Sequence, residues 1–548
     1  MKILLLALYD KETMLLNHDE IGIASIASYI RENGYSIKLM GSYIDQLNFD
    51  AILEYAPQVI GMSVYRDSKD PVCDFSIKVK KVLPNVKIIC GGAFATIYAT
   101  DLLTQCNGID YIVRGEGEQV FLELLRFFEK KHCNVYDIHG LTYRHLDQIC
   151  HNEQQEPIQS LDSLPPPSRD ILIDNKLNIA TISTSRGCYG NCSFCESPFY
   201  WSNPKANKEK KTCRWRGKSV DNICAEMMHI EERYGIKKFY IISNSFEDPG
   251  GTTNIENFAD RIIEQKRHIS YQINLRPAFY RSCTDGLLDK LKTSGLCSVF
   301  TGIEAANIDD LRLYNKMNTC EDNEKFIELF RTHDINTCIG FININPYSTF
   351  KSLHTNLRFL HKYHLAGFFL MLSRLRVEKG TRIYRKIVDD GLWIESRNIY
   401  TDSLGYRHVD ERIDKLVKFL NNYFYDDLHT SKLMYRIRYY DRYFLMYLSY
   451  DKRLATLRKE MDALDLINVC ESEINRVFLS LNETATTWFE KVLNLAENCW
   501  DQKEAEHLTE TLLSKNYLSA AEKELSLIKG KHYRTLLKAN ASYAYYVT

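Results

Sequence analysis

Three cysteines in one short stretch carry the strongest chemical signal in the sequence. Cys188, Cys192 and Cys195 follow one another at C-x3-C-x2-C spacing, in a glycine-containing loop directly after an apolar, strand-like segment. Cysteine thiolates are the usual ligands of iron–sulfur clusters, and thiolates this close together can hold a single cluster. Three ligands for four irons leave one iron open, and an open coordination position is what a catalytic metal site keeps.

Zinc is the competing metal for this loop. A structural zinc site needs a fourth nearby ligand, but the next Cys or His after Cys195 is Cys213. Three unrelated buried cysteines are the remaining alternative. The loop therefore predicts an iron–sulfur cluster with one open iron.

The same loop, Cys188-Tyr189-Gly190-Asn191-Cys192-Ser193-Phe194-Cys195, resembles the C-x3-C-x-aromatic-C signature of the radical S-adenosylmethionine (SAM) superfamily. The resemblance implies that the three cysteines bind a [4Fe–4S] cluster and that the methionine end of SAM binds the fourth iron. Reductive cleavage of SAM then gives a 5′-deoxyadenosyl radical. It also implies a reductant such as flavodoxin or ferredoxin.

Further stretches extend the resemblance to the SAM-binding turns. Residues 241–248 occupy the second-strand position, with Asn244 and Ser245 in place of the commoner carboxylates. Residues 302–305 are similar to the Gly-x-Glu strand, residues 378–381 to the closing Pro-Gly-Thr turn, and residues 340–349 to a Gly-Phe-Ile stretch in which Ile344 and Tyr347 replace two glycines. The resemblance implies SAM contacts from Phe194, Ser243, Asn244, Ser245, Arg276, Glu304 and Ile342.

The N-terminal 150 residues resemble the cobalamin-binding domain that precedes the barrel in one large subgroup of these enzymes, the class B methyltransferase-like members. The matching stretches are residues 20–27, 59–64, 91–96 and 113–118. The resemblance implies cobalamin contacts from Ser63, Tyr65, Arg66, Gly91, Gly92, Thr96, Gly115 and Glu116. The cobalt-ligating Asp-x-His-x-x-Gly motif does not occur in the chain. We therefore expect a lower corrin face without an imidazole ligand, for which the Tyr65-Arg66 loop is a candidate cover.

The two resemblances span roughly residues 1–400 and imply methylation of an unactivated carbon, or of phosphorus, in a peptide or natural-product intermediate. One SAM would methylate the cobalamin and a second would supply the radical. Cyclisation, epimerisation or another rearrangement without methyl transfer is the alternative within the subgroup.

Two other classes of protein are less compatible with the sequence. A methylthiotransferase carries three more cluster cysteines in its first domain, where this chain has Cys73, Cys90, Cys106, Cys133 and Cys150. Among these, Cys90 alone lies at a predicted strand end beside a glycine turn. A non-catalytic cobalamin sensor would not need a cluster with an open iron.

Hydrophobic periodicity predicts the elements that position these residues. Short apolar runs alternate with helix-length segments, which indicates an α/β fold with parallel sheets. We predict a flavodoxin-like (Rossmann-like) cobalamin-binding domain over 1–150 with strands at 2–8, 37–40, 59–64, 86–89 and 111–113, a Pro-rich linker over 151–178, a radical SAM partial βα barrel over 179–400, and a helical C-terminal domain over 401–548. Ligands of such sheets bind at the carboxyl ends of the strands. The barrel strands are predicted at 179–183, 238–243, 271–275, 298–302, 336–342 and 368–372.

Composition sets limits on the remaining possibilities. Hydrophobic residues make up 45% and charged residues 26% of the 548-residue chain, which excludes wholesale disorder. A formal net charge of −1 argues against a general binder of nucleic acid or anionic membranes, and no apolar run reaches the about 18 residues of a bilayer span. Sixteen scattered cysteines indicate a reducing cytoplasm rather than a disulfide scaffold.

An aromatic and basic stripe at residues 434–444 interrupts the otherwise ordinary helical pattern of the C-terminal region. It could stack bases or grip a peptide. The plainer interpretation is a helix whose tyrosines pack against the barrel while their hydroxyls reach water.

Overall fold

The computed structural model describes residues 1–9, 19–131, 134–146, 148–201, 215–365, 367–394, 405–514 and 517–539. The chain forms two compact units, one of Met1–Tyr189 with Glu196–Pro249 and the other of Gly190–Cys195 with Gly250–Thr548. The predicted domain boundaries at residues 150, 178 and 400 stay a prediction. The two compact units divide the chain at other positions.

A seven-stranded sheet organises the first unit, in the order β2-β1-β3-β4-β5-β6-β7. Its strands are β1 Ile3–Tyr9, β2 Ile37–Tyr43, β3 Val59–Ser63, β4 Lys87–Gly91, β5 Tyr111–Val113, β6 Leu141–His145 and β7 Gln148–His151. The first five pair in parallel, in the flavodoxin-like order that places a ligand crevice at the carboxyl ends of the strands. The five strands predicted for this domain are confirmed, whereas the antiparallel hairpin of β6 and β7 was not predicted.

The first unit also holds the start of the second βα series. Strand β8 Ile179–Ser183 pairs in parallel with β11 Lys238–Ile242, and a short antiparallel hairpin joins β9 Ser185–Gly187 to β10 Trp215–Gly217. The helices of this unit are α1 Ile21–Glu32, α2 Phe49–Tyr55, α3 Lys69–Val82, α4 Ala93–Ile97, α5 Ala99–Gln105, α6 Gly117–Phe128, α7 Asp170–Asp174, α8 Ser197–Tyr200 and α9 Val220–Tyr234.

A buried arginine fastens the predicted Pro-rich linker within this unit. Arg169 follows the three prolines and is 6% exposed. It donates to the carboxylates of Asp19 and Glu226 and to the carbonyl of Thr181 in β8. Charge-assisted hydrogen bonds of this kind fix a segment more firmly than neutral ones, so this part of the linker is a docked element of the unit.

The second unit contains strands β12 Ser270–Leu275, β13 Leu296–Glu304 and β14 Asn336–Phe341. The central strand, β13, pairs in parallel with both neighbours. Helices alternate with these strands, as a βα barrel segment requires. They are α10 Thr253–Glu264, α11 Asp285–Ser294, α12 Ile308–Leu313, α13 Cys320–Thr332 and α14 Phe350–Lys362.

The sixth barrel strand predicted over residues 368–372 is wrong. The structure has a short helix there, α15 Phe368–Met371, with extended Gly367 as its N-cap. A short apolar run of Phe, Leu and Met fits either element, because periodicity cannot separate a buried strand from a buried helical turn. A parallel bridge between Ile344 and Arg374 follows the helix.

The C-terminal region is helical, as predicted. After α16 Arg382–Asp389, its helices are α17 Glu411–Phe424, α18 Leu428–Tyr439, α19 Leu445–Arg458, α20 Met461–Asn498, α21 Gln502–Ser514 and α22 Tyr517–Ala539, with a π-helical turn at Tyr440–Phe444. Helix α19 contacts β12, β13 and β14. None of the helices in the described ranges is long and apolar enough to cross a membrane.

The aromatic and basic stripe of this region packs on the barrel segment. The Arg442 guanidinium lies 5.2 Å from the ring centre of Phe300 in β13, and that of Arg438 lies 3.5 Å from the ring centre of Phe369. Such cation–π contacts stabilise a packed interface. The stripe therefore packs through its arginines, and the packing of its tyrosines against the barrel stays a prediction.

Candidate functional site

The three cysteines lie in the loop that begins directly after β9. Cys188 follows Gly187 at the end of β9 and belongs to the first unit, whereas Cys192 and Cys195 belong to the second. The described residues include no three Cys, His, Asp or Glu side chains that already surround one point. The fit to a [4Fe–4S] cluster therefore rests on the donor set, which is three thiols on one loop.

Backbone hydrogen bonds anchor the loop between the last two cysteines. Ser193 donates from its amide to the carbonyl of Tyr314, at 2.8 Å, and from its hydroxyl to the carbonyl of Leu313, at 2.7 Å. Its own carbonyl accepts from the amide of Ile383 at 3.0 Å. Because Ser193 is held on three sides, the two neighbouring thiols are presented from a fixed turn.

Phe194 and Ile342, both predicted SAM contacts, lie in one apolar cluster of the second unit. The Phe194 ring packs edge-on against Tyr314, with ring centres 5.5 Å apart. Behind them lies fully buried Asn345, which donates to Asp310 Oδ1 at 2.7 Å and to the Tyr314 hydroxyl at 2.9 Å. Sequence reasoning missed this polar support, and its signal was an asparagine in an otherwise apolar stretch.

Glu304 is the most unusual side chain of the site. Its backbone is left-handed, with a φ of 67°, and its carboxylate occupies space that two glycines leave open. A Cβ at Gly302 would collide with Glu304 Oε1, and one at Gly340 would lie 3.5 Å from Oε2. The glycines of two predicted motifs therefore make room for one carboxylate. Left-handed backbone at a residue other than glycine occurs often at functional sites, and the SAM contact of Glu304 stays a prediction.

One lysine partly offsets the charge of this carboxylate. Lys316 Nζ donates to the carbonyl of Gly302 at 2.7 Å and lies 3.8 Å from Glu304 Oε1. Burial raises the pKa of Glu304, and the positive charge of Lys316 only partly opposes the rise. Lys316 was not predicted, because no local motif links it to a residue twelve positions earlier.

The same charges act on one of the cluster thiols. Burial raises the pKa of Cys192, while Lys316 and Arg276 lower it and Glu304 raises it. Arg276, a predicted SAM contact, donates to the Met317 sulfur at 3.5 Å. Glu304, Lys316 and Arg276 thus each act electrostatically on Cys192 within the second unit.

The remaining predicted SAM contacts follow β11 in the first unit. Ser243 and Ser245 are buried, and the Ser245 hydroxyl donates to the carbonyl of Glu247 at 3.1 Å. Asn244 is exposed and donates from Nδ2 to the Ser197 hydroxyl at 2.8 Å. Their contacts with SAM stay a prediction.

The glycine turns of the seven-stranded sheet meet at its carboxyl edge. The Thr96 hydroxyl donates to the carbonyl of Gly92 at 2.8 Å and accepts from the amide of Gly115 at 3.0 Å. Gly92 has a φ of 100°, and a Cβ there would lie 3.1 Å from the Val64 carbonyl and 3.3 Å from the Ser63 hydroxyl. Only glycine fits at this turn.

Two further glycines at this edge leave space beside the backbone. A Cβ at Gly91 would meet no atom closer than 3.5 Å, and one at left-handed Gly115 would meet none within 4 Å. Both positions therefore present bare backbone at the carboxyl ends of parallel strands, where such sheets bind their ligands. The cobalamin contacts proposed for these residues are compatible with the turn geometry.

The Tyr65-Arg66 loop lies at the same edge. The Tyr65 hydroxyl donates to Glu20 Oε2 at 2.6 Å, and burial together with the negative charge of Glu20 raises the pKa of this phenol well above its usual value. Arg66 lies over the rings of Phe94 and Tyr98, 5.3 and 5.6 Å from their centres. The loop is held in place, and its role as a cover for the lower corrin face stays a prediction.

Glu116, the last predicted cobalamin contact, directs its carboxylate toward two arginines. It accepts from Arg216 at 3.0 and 3.1 Å, from Arg186 at 3.0 Å and from the amide of Ile158 at 2.5 Å. Its side chain is 4% exposed. Its part in cobalamin binding stays a prediction beside this ion-pair role.

Comparison with known proteins identifies the family. Residues 12–125 match the B12 binding domain model, and residues 182–360 match the radical SAM superfamily model. The chain is a radical SAM enzyme with a cobalamin-binding domain. This radical SAM enzyme accordingly uses a [4Fe–4S] cluster, SAM and cobalamin, and it needs a reductant and a substrate.

Relatives of this radical SAM enzyme include both methyltransferases and cyclases. It is 24% identical over 415 residues to an uncharacterized methyltransferase of Pyrococcus horikoshii, covering 73% of this chain and 86% of that protein. It is 26% identical over 329 residues to the anaerobic magnesium-protoporphyrin IX monomethyl ester cyclase of Synechocystis, covering 58% of this chain and 62% of the cyclase.

A solved structure shares the fold. The cobalamin-dependent SAM radical enzyme OxsB, with aqua-cobalamin and SAM bound, aligns with a TM-score of 0.67 and 17% identity over 98% of this chain and 80% of OxsB. The α/β fold with a B12-binding domain, a parallel radical SAM sheet and a helical C-terminal region is therefore confirmed.

Proposed function

We propose that this enzyme transfers a methyl group to an unactivated carbon, or to phosphorus, of a peptide or natural-product intermediate. The observation that carries the proposal is the presence, in one chain, of a three-cysteine loop and a parallel sheet whose glycine turns present bare backbone at its carboxyl edge. The methyltransferase relative, which the chain covers over 86% of its length, supports it.

When bound, the [4Fe–4S] cluster and SAM supply a radical that abstracts hydrogen, and the cobalamin supplies the methyl group. Cys188, Cys192 and Cys195 would hold the cluster. The carboxylate of Glu304, desolvated and only partly balanced by Lys316, is suited to a cationic or N–H donor partner such as the methionine end of SAM.

The protein's own contribution is binding, orientation and exclusion of water. Bare backbone at Gly91 and Gly115 would admit the corrin close to the sheet edge, and the Tyr65 ring, held by Glu20, would cover one of its faces. Orientation of bound groups is a large source of rate enhancement in enzymes. We also propose a flavodoxin or ferredoxin as the electron donor and the cytoplasm as the location.

A rearrangement without methyl transfer is the second candidate. It is supported by the 26% identity to the magnesium-protoporphyrin ester cyclase over 58% of this chain. Because the chain spans 62% of that cyclase, the cyclase's reaction and substrate are not carried over.

The coproducts of the reaction separate the two candidates. Anaerobically reconstituted enzyme, given cobalamin, reductant, SAM and a candidate substrate, should form S-adenosylhomocysteine and 5′-deoxyadenosine in roughly equal amounts. 5′-Deoxyadenosine without S-adenosylhomocysteine above background, together with a product of unchanged mass or one lighter by two hydrogens, would rule out methyl transfer and leave the rearrangement.

A further inference from the structure

Two carboxylates and two arginines form a buried cluster in the first unit, which we call the Glu–Arg latch: Glu116, Glu118, Arg186 and Arg216. Arg186 donates to Glu118 Oε1 at 2.5 Å and to Glu116 Oε1 at 3.0 Å. Arg216 donates to both oxygens of Glu116. The four side chains are between 3% and 14% exposed.

The hairpin that carries the two arginines depends on this latch. Arg186 and Arg216 stand directly opposite each other across β9 and β10, and like charges in that position repel. With three residues in each strand, the hairpin is also too short to be stable alone. The two carboxylates at the N-terminus of α6, Glu116 as its N-cap and Glu118 in its first turn, neutralise the pair and so help to hold the hairpin in place.

Gly115, directly before Glu116, is hydrogen-bonded to the proposed corrin edge. The amide of Gly115 donates to Thr96 Oγ1, and that hydroxyl donates to the carbonyl of Gly92. Ser25 in α1 donates to Glu118 Oε1 at 2.8 Å. Hydrogen bonds, together with the peptide bond between Gly115 and Glu116, therefore connect Gly92 to Arg186, which precedes Cys188 by two residues.

We propose that the Glu–Arg latch is a positioning device that couples the occupancy of the corrin edge to the cysteine loop, with Glu118 and Arg186 as its central positioning residues. This inference rests on the proposed assignment of Cys188 to the cluster and of Gly91, Gly92 and Gly115 to cobalamin. It does not depend on whether the reaction is a methyl transfer. Coupling of this kind is reciprocal, and its usual size is about 5- to 150-fold in affinity.

The test measures SAM affinity of cluster-loaded protein with and without hydroxocobalamin, in the absence of substrate. In the wild type, cobalamin should tighten SAM binding about tenfold. In Arg186→Lys, which keeps the charge but loses the two-pronged guanidinium geometry, cobalamin should change SAM affinity by less than about twofold. The electron paramagnetic resonance spectrum of the reduced cluster with SAM should shift in the variant, while its iron content stays that of the wild type.

A matched control separates coupling from general damage. Arg31 and Asp170 form an equally two-pronged pair in the same unit, at 2.7 and 2.9 Å, outside the hairpin. Asp170→Asn should keep the full effect of cobalamin on SAM affinity. Should Arg186→Lys fail to fold, Glu118→Gln serves as the second variant. No effect of cobalamin on SAM affinity in the wild type, or an undiminished effect in a folded latch variant, would overturn the inference.

Discussion

Two glutamates in this chain differ in how completely their charge is paired: Glu118, whose side chain is 3% exposed, and Glu304, whose side chain is 15% exposed. Glu118, in the first unit, accepts from Arg186 and from the Ser25 hydroxyl. Glu304, in the second unit, has Lys316 at 3.8 Å and a pocket made by two glycines. Burial raises the pKa of both groups, but the arginine and the hydrogen bonds reverse the effect at Glu118 and lower its pKa.

The difference lies in how much of the desolvation each site compensates. A fully paired buried carboxylate fixes the positions of its partners, and those partners are all groups of the protein. A largely desolvated carboxylate with incomplete pairing can still accept a hydrogen bond or an ion pair from a ligand. Groups with perturbed pKa values of this kind concentrate at functional sites. The comparison assigns Glu118 to structural support, whereas the incomplete pairing of Glu304 is consistent with the SAM contact proposed for it.

The largest effect is expected from loss of the iron–sulfur cluster. Replacement of Cys188, Cys192 and Cys195 by Ala together should abolish the iron–sulfur signal and all formation of 5′-deoxyadenosine, because the cluster loses its thiolate ligands. Added Glu304→Gln should then have no further effect on SAM binding. Iron analysis and product chromatography are the measurements. As a control, Cys213→Ala should retain the cluster, and loss of iron in that variant would contradict the three-ligand assignment.

The second effect separates the two glutamates by stability. Glu118→Gln leaves Arg186 and Arg216 to share one carboxylate, Glu116. One largely buried positive charge then lacks its counter-charge, and we expect the free energy of unfolding to fall by about 3–5 kcal/mol. Glu304→Gln removes a desolvated charge and should change it by about 1 kcal/mol or less. Chemical denaturation of the apo proteins measures both. Equal losses of unfolding free energy in the two variants would show that the two carboxylates contribute equally to stability.

The third effect tests the corrin edge. Gly92→Ala places a Cβ 3.1 Å from the Val64 carbonyl at a φ of 100°, a strain of about 1–3 kcal/mol, and should abolish retention of hydroxocobalamin after desalting. Gly22→Ala in α1, where nothing lies within 4 Å, is the matched control and should retain it. Retention of cobalamin by Gly92→Ala would show that this turn does not take part in cobalamin binding.

The smallest effect is a dependence on pH with opposite signs at the two sites. Glu118 has a lowered pKa, so its stabilising contribution is present above the ordinary value and is lost as the pH falls through the folded-state pKa. Glu304 has a raised pKa, so the folded state binds more protons just above the ordinary value, and stability falls as the pH rises.

Thermal unfolding of apo Glu304→Gln against pH measures this difference. The variant should match the wild type at about pH 4 and be the more stable protein at about pH 8, because Gln mimics the protonated carboxyl at every pH. A constant gap between the two proteins across this interval would contradict a raised pKa at Glu304.

The sequence predicted those features that depend on local pattern. The parallel strands, the cysteine loop and the glycine turns each carry their signal within a few residues, because apolar periodicity and thiol spacing are local properties. The strand expected at residues 368–372 was wrong, since its apolar run suits both elements. The side chains that complete the sites are separated by long stretches of chain, and no local rule pairs Glu118 with Arg186 or Asn345 with Asp310.

The central claim, that a cobalamin-loaded radical SAM enzyme moves a methyl group, is tested most directly by the fate of a labelled methyl. The reconstituted enzyme is supplied with SAM that carries a CD3 group, reductant, cobalamin and the substrate, and the product is analysed by mass spectrometry. Methyl transfer should give a product in which one CD3 has replaced one hydrogen. A product that forms with 5′-deoxyadenosine but contains no deuterium would contradict it.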